Sequence, residues 1–124
     1  MGYRTISLGR SAVFYLPSLP ISKFCNDAGQ TLKNALEEFL MERFGGFTVF
    51  PGLLRGRWKS TGSRVVSGEH EMYSVAFVGK ERIPELFEFL ADIARRIGEE
   101  CIYTETGEDA QLVYPDGTVE KNNG

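Results

Sequence analysis

Apolar side chains cluster and alternate through Ser11-Ala12-Val13-Phe14-Tyr15-Leu16, a run rich in β-branched and aromatic residues that Pro17 and Pro20 close. The pattern predicts a first strand followed by a proline loop. From Leu32 the period changes: Leu32, Ala35, Leu36, Phe39, Leu40 and Phe44 recur at three- and four-residue steps, with Lys33, Asn34, Glu37 and Glu38 on the opposite face. That stripe predicts a helix, ended at Gly45-Gly46, where residues able to adopt positive φ can close it. Phe47-Thr48-Val49-Phe50 reads as a second strand stopped by Pro51-Gly52. Arg57-Trp58-Lys59 and Arg64-Val65-Val66, on either side of Ser60-Thr61-Gly62-Ser63, predict a hairpin arm extending it.

The return strand, His70 to Val78, carries Met72, Ser74, Ala76 and Val78 on one side and Tyr73, Val75 and Phe77 on the other. Apolar groups on both faces mark a central strand. A second helix begins near Pro84, where the missing N–H costs nothing, and buries Leu86, Phe87, Leu90, Ile93, Ala94 and Ile97. Gly98 ends it, and Arg95 and Arg96 stand in its last turn, where the dipole favours cations. Cys101-Ile102-Tyr103-Thr104 and Ala110-Gln111-Leu112-Val113-Tyr114 form a final strand pair. The order is β-α-β-β-α-β. It predicts an α+β, ferredoxin-like domain over residues 1–119, with an antiparallel sheet, two helices on one face and a hairpin arm between strands 2 and 3. Residues 120–124 read as a frayed tail.

The length of 124 residues suits one domain with an ordinary core. The formal charge of −3 disfavours general nucleic-acid binding. The opening residues lack a signal-peptide run, and no segment reaches the length of a membrane span, so residence in the cytoplasm without membrane association is expected. Cys25 and Cys101 are expected to be reduced and buried. With a single histidine, His70, no metal site and no cofactor are expected.

Phe44-Gly45-Gly46-Phe47-Thr48-Val49, Gly56-Arg57-Trp58, Glu69 and Glu99-Glu100-Cys101-Ile102-Tyr103 together resemble a pattern in small uncharacterised proteins of bacteria, plasmids and phages. The resemblance implies a ferredoxin-like fold and brings no catalytic residues with it.

Candidate chemistry concentrates between Arg55 and Arg64. Arg55, Arg57, Lys59 and Arg64 occur there with no acidic residue among them, around the only tryptophan, Trp58. Guanidinium groups suit phosphate and Trp58 can stack on a base, so these five residues are the candidate site for a small anionic or nucleotide-type ligand. The alternative is a charged hairpin protecting an exposed sheet edge, with Trp58 folded onto the core. No phosphate-binding G-x-x-x-x-G-K-[ST] string occurs, so binding without chemistry is favoured. On this basis the expected function is a non-enzymatic binding module, narrowed by the resemblance to a phage or plasmid accessory protein that sequesters a nucleotide signal. A domain docking an acidic protein surface is a second reading.

A small enzyme using His70 as acid and base is a third, weakened because Glu69 and Glu71 share a strand face that His70 does not. His70 is expected at the surface or a sheet edge. The acidic tip Glu105, Glu108, Asp109 and the later Asp116 lack the spacing of a calcium loop, and Tyr73, Tyr103 and Tyr114 are expected in the core or in cross-strand pairs. A homodimer is expected, a second copy covering the sheet face that the helices leave open.

Overall fold

The computed structural model describes residues 2–59, 65–77, 79–107 and 110–115, with side chains placed for 2–51, 69–77, 79–107 and 112–115. The described chain is a mixed α+β structure. In order it forms β1 (Arg10–Pro17), α1 (Ser18–Lys23), α2 (Leu32–Phe44), β2 (Thr48–Lys59), β3 (Val65–Phe77), α3 (Arg82–Ile97), β4 (Ile102–Glu105) and β5 (Ala110–Val113). The strands make one antiparallel sheet in the order β2-β3-β1-β4-β5. β3 pairs on both sides, with β1 and β2, as its apolar faces require.

Ala12, Phe14 and Leu16 of β1, Tyr73, Val75 and Phe77 of β3, and Ile102 of β4 are buried on one face. Against them pack Leu32, Leu36 and Leu40 of α2 and Leu86, Leu90, Ile93 and Ala94 of α3. Those helical residues are the apolar stripes of the sequence, and the period of 3.6 puts each set on one face. Phe14 stacks on Tyr73 with ring centroids 5.6 Å apart. The opposite sheet face carries Val13, Tyr15, Met72, Ser74, Ala76 and Tyr103, all half-buried.

The helix ends follow local chemistry. The Thr31 side chain accepts from the Asn34 N–H to cap α2, which closes at Gly45 with φ of 80°. α3 closes at Gly98 with φ of 73°. Both conformations are left-handed, where a Cβ would be strained. Arg96 in the last turn of α3 reaches Asp92 at 2.8 Å and Asp27 at 3.1 Å, tying down the segment before α2. That guanidinium holds the Asp27 carboxyl below the usual carboxylate range.

Four expectations are corrected. The proline segment is a short helix, α1, whose Ile21 is fully buried, with Pro20 in its first turn. β2 does not stop at Pro51-Gly52 but continues to Lys59 with a shift of register between Phe50 and Leu54. An edge strand tolerates proline there because its outer N–H has no ladder partner to lose. His70 is buried, 3% exposed, on an interior strand rather than at an edge. Cys25 is exposed, whereas Cys101 is buried, and no disulfide joins them.

Burial pushes the Cys101 thiol above its ordinary range, with Glu100 and Glu99 adding to the effect. A thiol reagent at pH 8 is therefore expected to modify Cys25 rapidly and Cys101 only after denaturant is added, because the thiolate is the reacting form. Two fast equivalents in the native protein would contradict this placement.

Candidate ligand site

Of the five residues singled out in the basic segment, Arg55, Arg57, Trp58 and Lys59 lie in the distal half of β2, at register positions facing Glu69, Ser67, Val66 and Val65 of β3. The backbone thus forms the expected hairpin arm. Their side chains and all of Arg64 lie outside the described residues, as do Glu108, Asp109, Asp116 and the 120–124 tail. Glu105 is exposed at the end of β4.

The described side chains build a different concavity, one that no motif announces. A cleft of about 530 Å³ opens where the C-terminus of α2, the start of β2, the ends of β1 and β3 and the first turn of α3 converge. Its wall includes Arg43, Phe44, Gly46, Phe47, Ser74 and Arg82, and Ser7 and Leu8 from the segment before β1 also border it. Its volume falls in the range of small-molecule sites. Thr48, the first residue of β2, also lines it. Lys59 ends the same strand, so at strand geometry its backbone lies roughly 30 Å away within one chain.

The electrostatics of the cleft rest on three side chains. Glu85 receives Arg43 Nε at 3.0 Å on one oxygen and Arg82 Nε at 3.3 Å on the other. The Arg82 guanidinium also lies over the Phe44 ring, 4.8 Å from its centroid. Two cations share one anion, so this rim is positive. The carbonyl end of α2 enters the same cleft at Phe44-Gly45, adding a partial negative charge nearby.

A second concavity, about 510 Å³, runs between α2 and α3. It is lined by Asp27, Glu38, Glu42 and Asp92; its Arg96 is already engaged by two of them, and Arg43, which borders this concavity as well as the first, by Glu85. It is poorly suited to an anion.

Beneath the sheet lies a polar group that the sequence did not reveal. Glu71 is 5% exposed, and Lys33 Nζ donates to both its oxygens at 3.0 and 3.1 Å. The Tyr73 hydroxyl, with one proton to give, is 3.2 Å from an oxygen of Glu71 and 3.2 Å from one of Glu37. Burial first, then the charges of Glu71 and Glu37, push the Tyr73 hydroxyl far above the usual phenol range. This group is a buried brace between α2 and β3. His70 occupies the other face, in a small space with Tyr15, Pro17, Glu99, Cys101, Tyr103 and Leu112. Tyr73 is thus a core residue and Tyr103 a ring neighbour of Tyr15 at 5.8 Å, both as expected.

No family model and no curated protein matches the sequence. Among solved structures the chain is similar to a phage SAM lyase in complex with S-methyl-5'-thioadenosine, with a TM-score of 0.54 and 14% identity over 96% of this chain and 99% of that one. It is also similar to a phage SAM lyase in its apo state, with a TM-score of 0.53 and 12% identity over 96% of this chain and 100% of that one. At such identities the likeness is one of fold, and it runs from end to end in both chains. No helix among the described residues is long and apolar enough to cross a membrane.

Proposed function

We propose that this chain is a phage- or plasmid-type accessory protein that binds an adenosine-bearing ligand and cleaves S-adenosylmethionine to S-methyl-5'-thioadenosine. The observation that carries the proposal is the end-to-end likeness of fold to a lyase holding that thioadenosine. Nothing is inserted or missing on the scale of a domain in either chain. The strand order β2-β3-β1-β4, with β5 appended at the edge, supports the ferredoxin-like description of that fold. In this reading the ligand lies in the cleft at the C-terminus of α2 and the start of β2, against Phe44 and Phe47.

The chemistry suits a site without a catalytic triad. When the bond between the sulfonium sulfur and the aminobutyrate chain breaks, sulfur keeps the bonding pair and leaves as a neutral thioether, while an oxygen of the ligand's own carboxylate supplies a new pair to the γ-carbon and closes a five-membered lactone. No acid is needed to protonate the leaving group. Positive charge on sulfur is discharged as the bond breaks, so exchanging water for the apolar surface of Phe44 and Phe47 favours the less charged transition state over the solvated cation. A single histidine buried away from the cleft is compatible with such a reaction, and an enzyme using His70 as acid and base is not required.

The sequence favoured binding without chemistry at Arg55, Arg57, Trp58, Lys59 and Arg64, and that arm is kept as a second reading because its charge remains the densest in the chain. It would take phosphorylated nucleotides or an acidic protein surface, and a second copy covering the open sheet face belongs to the same proposal.

Incubation of the purified protein with S-adenosylmethionine, followed by chromatography and mass spectrometry, is expected to yield S-methyl-5'-thioadenosine in proportion to protein and time. Thermal melts should rise with S-adenosylmethionine and with S-methyl-5'-thioadenosine, since a ligand bound only by the folded state stabilises it. A rise without product reduces the proposal to a binder. A rise with ATP or cyclic nucleotides alone favours the arm, and no rise and no product sinks the lyase and the nucleotide readings together.

A further inference from the structure

We infer that Arg43 and Arg82, held together by Glu85 at the rim of the cleft, form a subsite for a carboxylate or phosphate carried by the ligand. The inference rests on the adenosine-ligand reading and adds to it which end of the ligand is recognised. Arg82 is the first residue of α3, so its cation stands at the positive end of that helix dipole, where charge of this sign is disfavoured. It is retained there by Glu85 one turn on and by the face of Phe44. Arg43 comes from another helix and meets the other oxygen of the same carboxylate. Glu85 therefore sets the spacing of two guanidiniums whose side chains are 60% and 32% exposed and which both line the cleft.

Each guanidinium meets Glu85 through Nε. The paired terminal N–H groups are the edge that takes a carboxylate or phosphate in two parallel hydrogen bonds. One carboxylate against two guanidiniums leaves the trio a net positive charge, ready for one more anion. Close by, the carbonyl end of α2 favours cations. A ligand with a negative group at one end and a positive centre a few atoms away matches that alternation, and S-adenosylmethionine has its carboxylate and its sulfonium in this relation. S-methyl-5'-thioadenosine lacks the carboxylate, so it makes no contact with the arginine pair.

The test is calorimetric binding of S-adenosylmethionine, S-methyl-5'-thioadenosine and AMP to the wild type, to Arg43→Gln/Arg82→Gln and to Gly46→Leu. The double variant is expected to lose about ten-fold or more in affinity for S-adenosylmethionine and AMP, as removal of charge-assisted pairs implies, and to keep its affinity for S-methyl-5'-thioadenosine. Gly46 lines the cleft, its φ lies outside the left-handed range, and a Cβ there meets nothing within 4 Å. The leucine should therefore fill the cleft without straining the fold and weaken all three ligands. Equal losses for all ligands in the double variant, or unchanged affinities in either variant, overturn the inference.

Pyrophosphate separates this inference from the reading beneath it. If no adenosine compound binds but pyrophosphate raises the wild-type melting temperature and not that of the double variant, the anion subsite stands and the adenosine reading falls. If neither adenosine compounds nor pyrophosphate act on the wild type, both fall.

Discussion

Replacing Lys33 by methionine is expected to cost about 2–4 kcal/mol, somewhat less than breaking a fully buried ion pair, because Lys33 itself is partly solvated. Its partner is not: the Glu71 side chain is 7% exposed, and Lys33 supplies hydrogen bonds to both its oxygens. Methionine keeps the length and apolar bulk of the stem, so the loss reports the charge. The Tyr73 hydroxyl cannot make good the deficit, since its single proton is shared between Glu71 and Glu37. For a domain whose whole stability is of the order of 5–15 kcal/mol, this is a large fraction. A thermal or urea melt reads it directly. The variant Lys33→Met/Glu71→Leu should recover part of the loss, because no unpaired charge remains under the sheet. A single variant as stable as the wild type would show that Glu71 does not depend on this lysine.

Phe14→Ala should be at least as damaging, at about 3–5 kcal/mol for a large aromatic side chain removed from a core. Phe14 is fully buried in a strand paired on both sides, opposite Tyr73 in β3 and Thr104 in β4. The ring lies nearly parallel to that of Tyr73, with an interplanar angle of 6°. Removal therefore leaves a cavity beside the one aromatic residue that also carries the buried polar brace. Phe50→Ala is the control: that ring is 51% exposed on β2, and its loss should change stability by no more than about 0.5 kcal/mol. Comparable losses in the two variants would contradict the burial pattern.

These two sites show what was legible in the sequence. Phe14 stands in an apolar run, and Leu36, Leu40, Leu86 and Leu90 lie on stripes of helical period, so the requirement for one buried face marks them. β3 was readable as central because its apolar residues fell on both faces. α1 was not readable, since Pro17 and Pro20 look like loop signals unless Pro20 is allowed in a first turn. The passage of β2 through Pro51-Gly52 depends on its being an edge strand, a property of sheet order that local sequence does not carry.

In the sequence Glu71 is marked only as a strand neighbour of His70 pointing to the opposite face. Its lysine lies in α2, far away along the chain, and only the folded sheet brings the two together. The cleft is less legible still. Arg43 and Arg82 are separated by two strands, Ser74 belongs to one of them, and Ser7 precedes the first strand altogether. The arm is conspicuous in the sequence because its basic residues fall within ten positions of one another, whereas convergence of dispersed residues leaves no local mark.

The central place of β1 has a kinetic consequence. β2 and β3 are successive and can zip as a hairpin early, and β4 and β5 can do the same. β1 cannot: it pairs with β3 and β4, whose residues are made only after α2 and, for β4, α3. The strand that joins the two hairpins must wait longest for its neighbours, and closing those long loops slows folding relative to a chain built from local contacts. Until then the side chains of Phe14 and Leu16 stay uncovered, so crowding of newly made chains, more than weakness of the finished fold, should limit the yield of native protein.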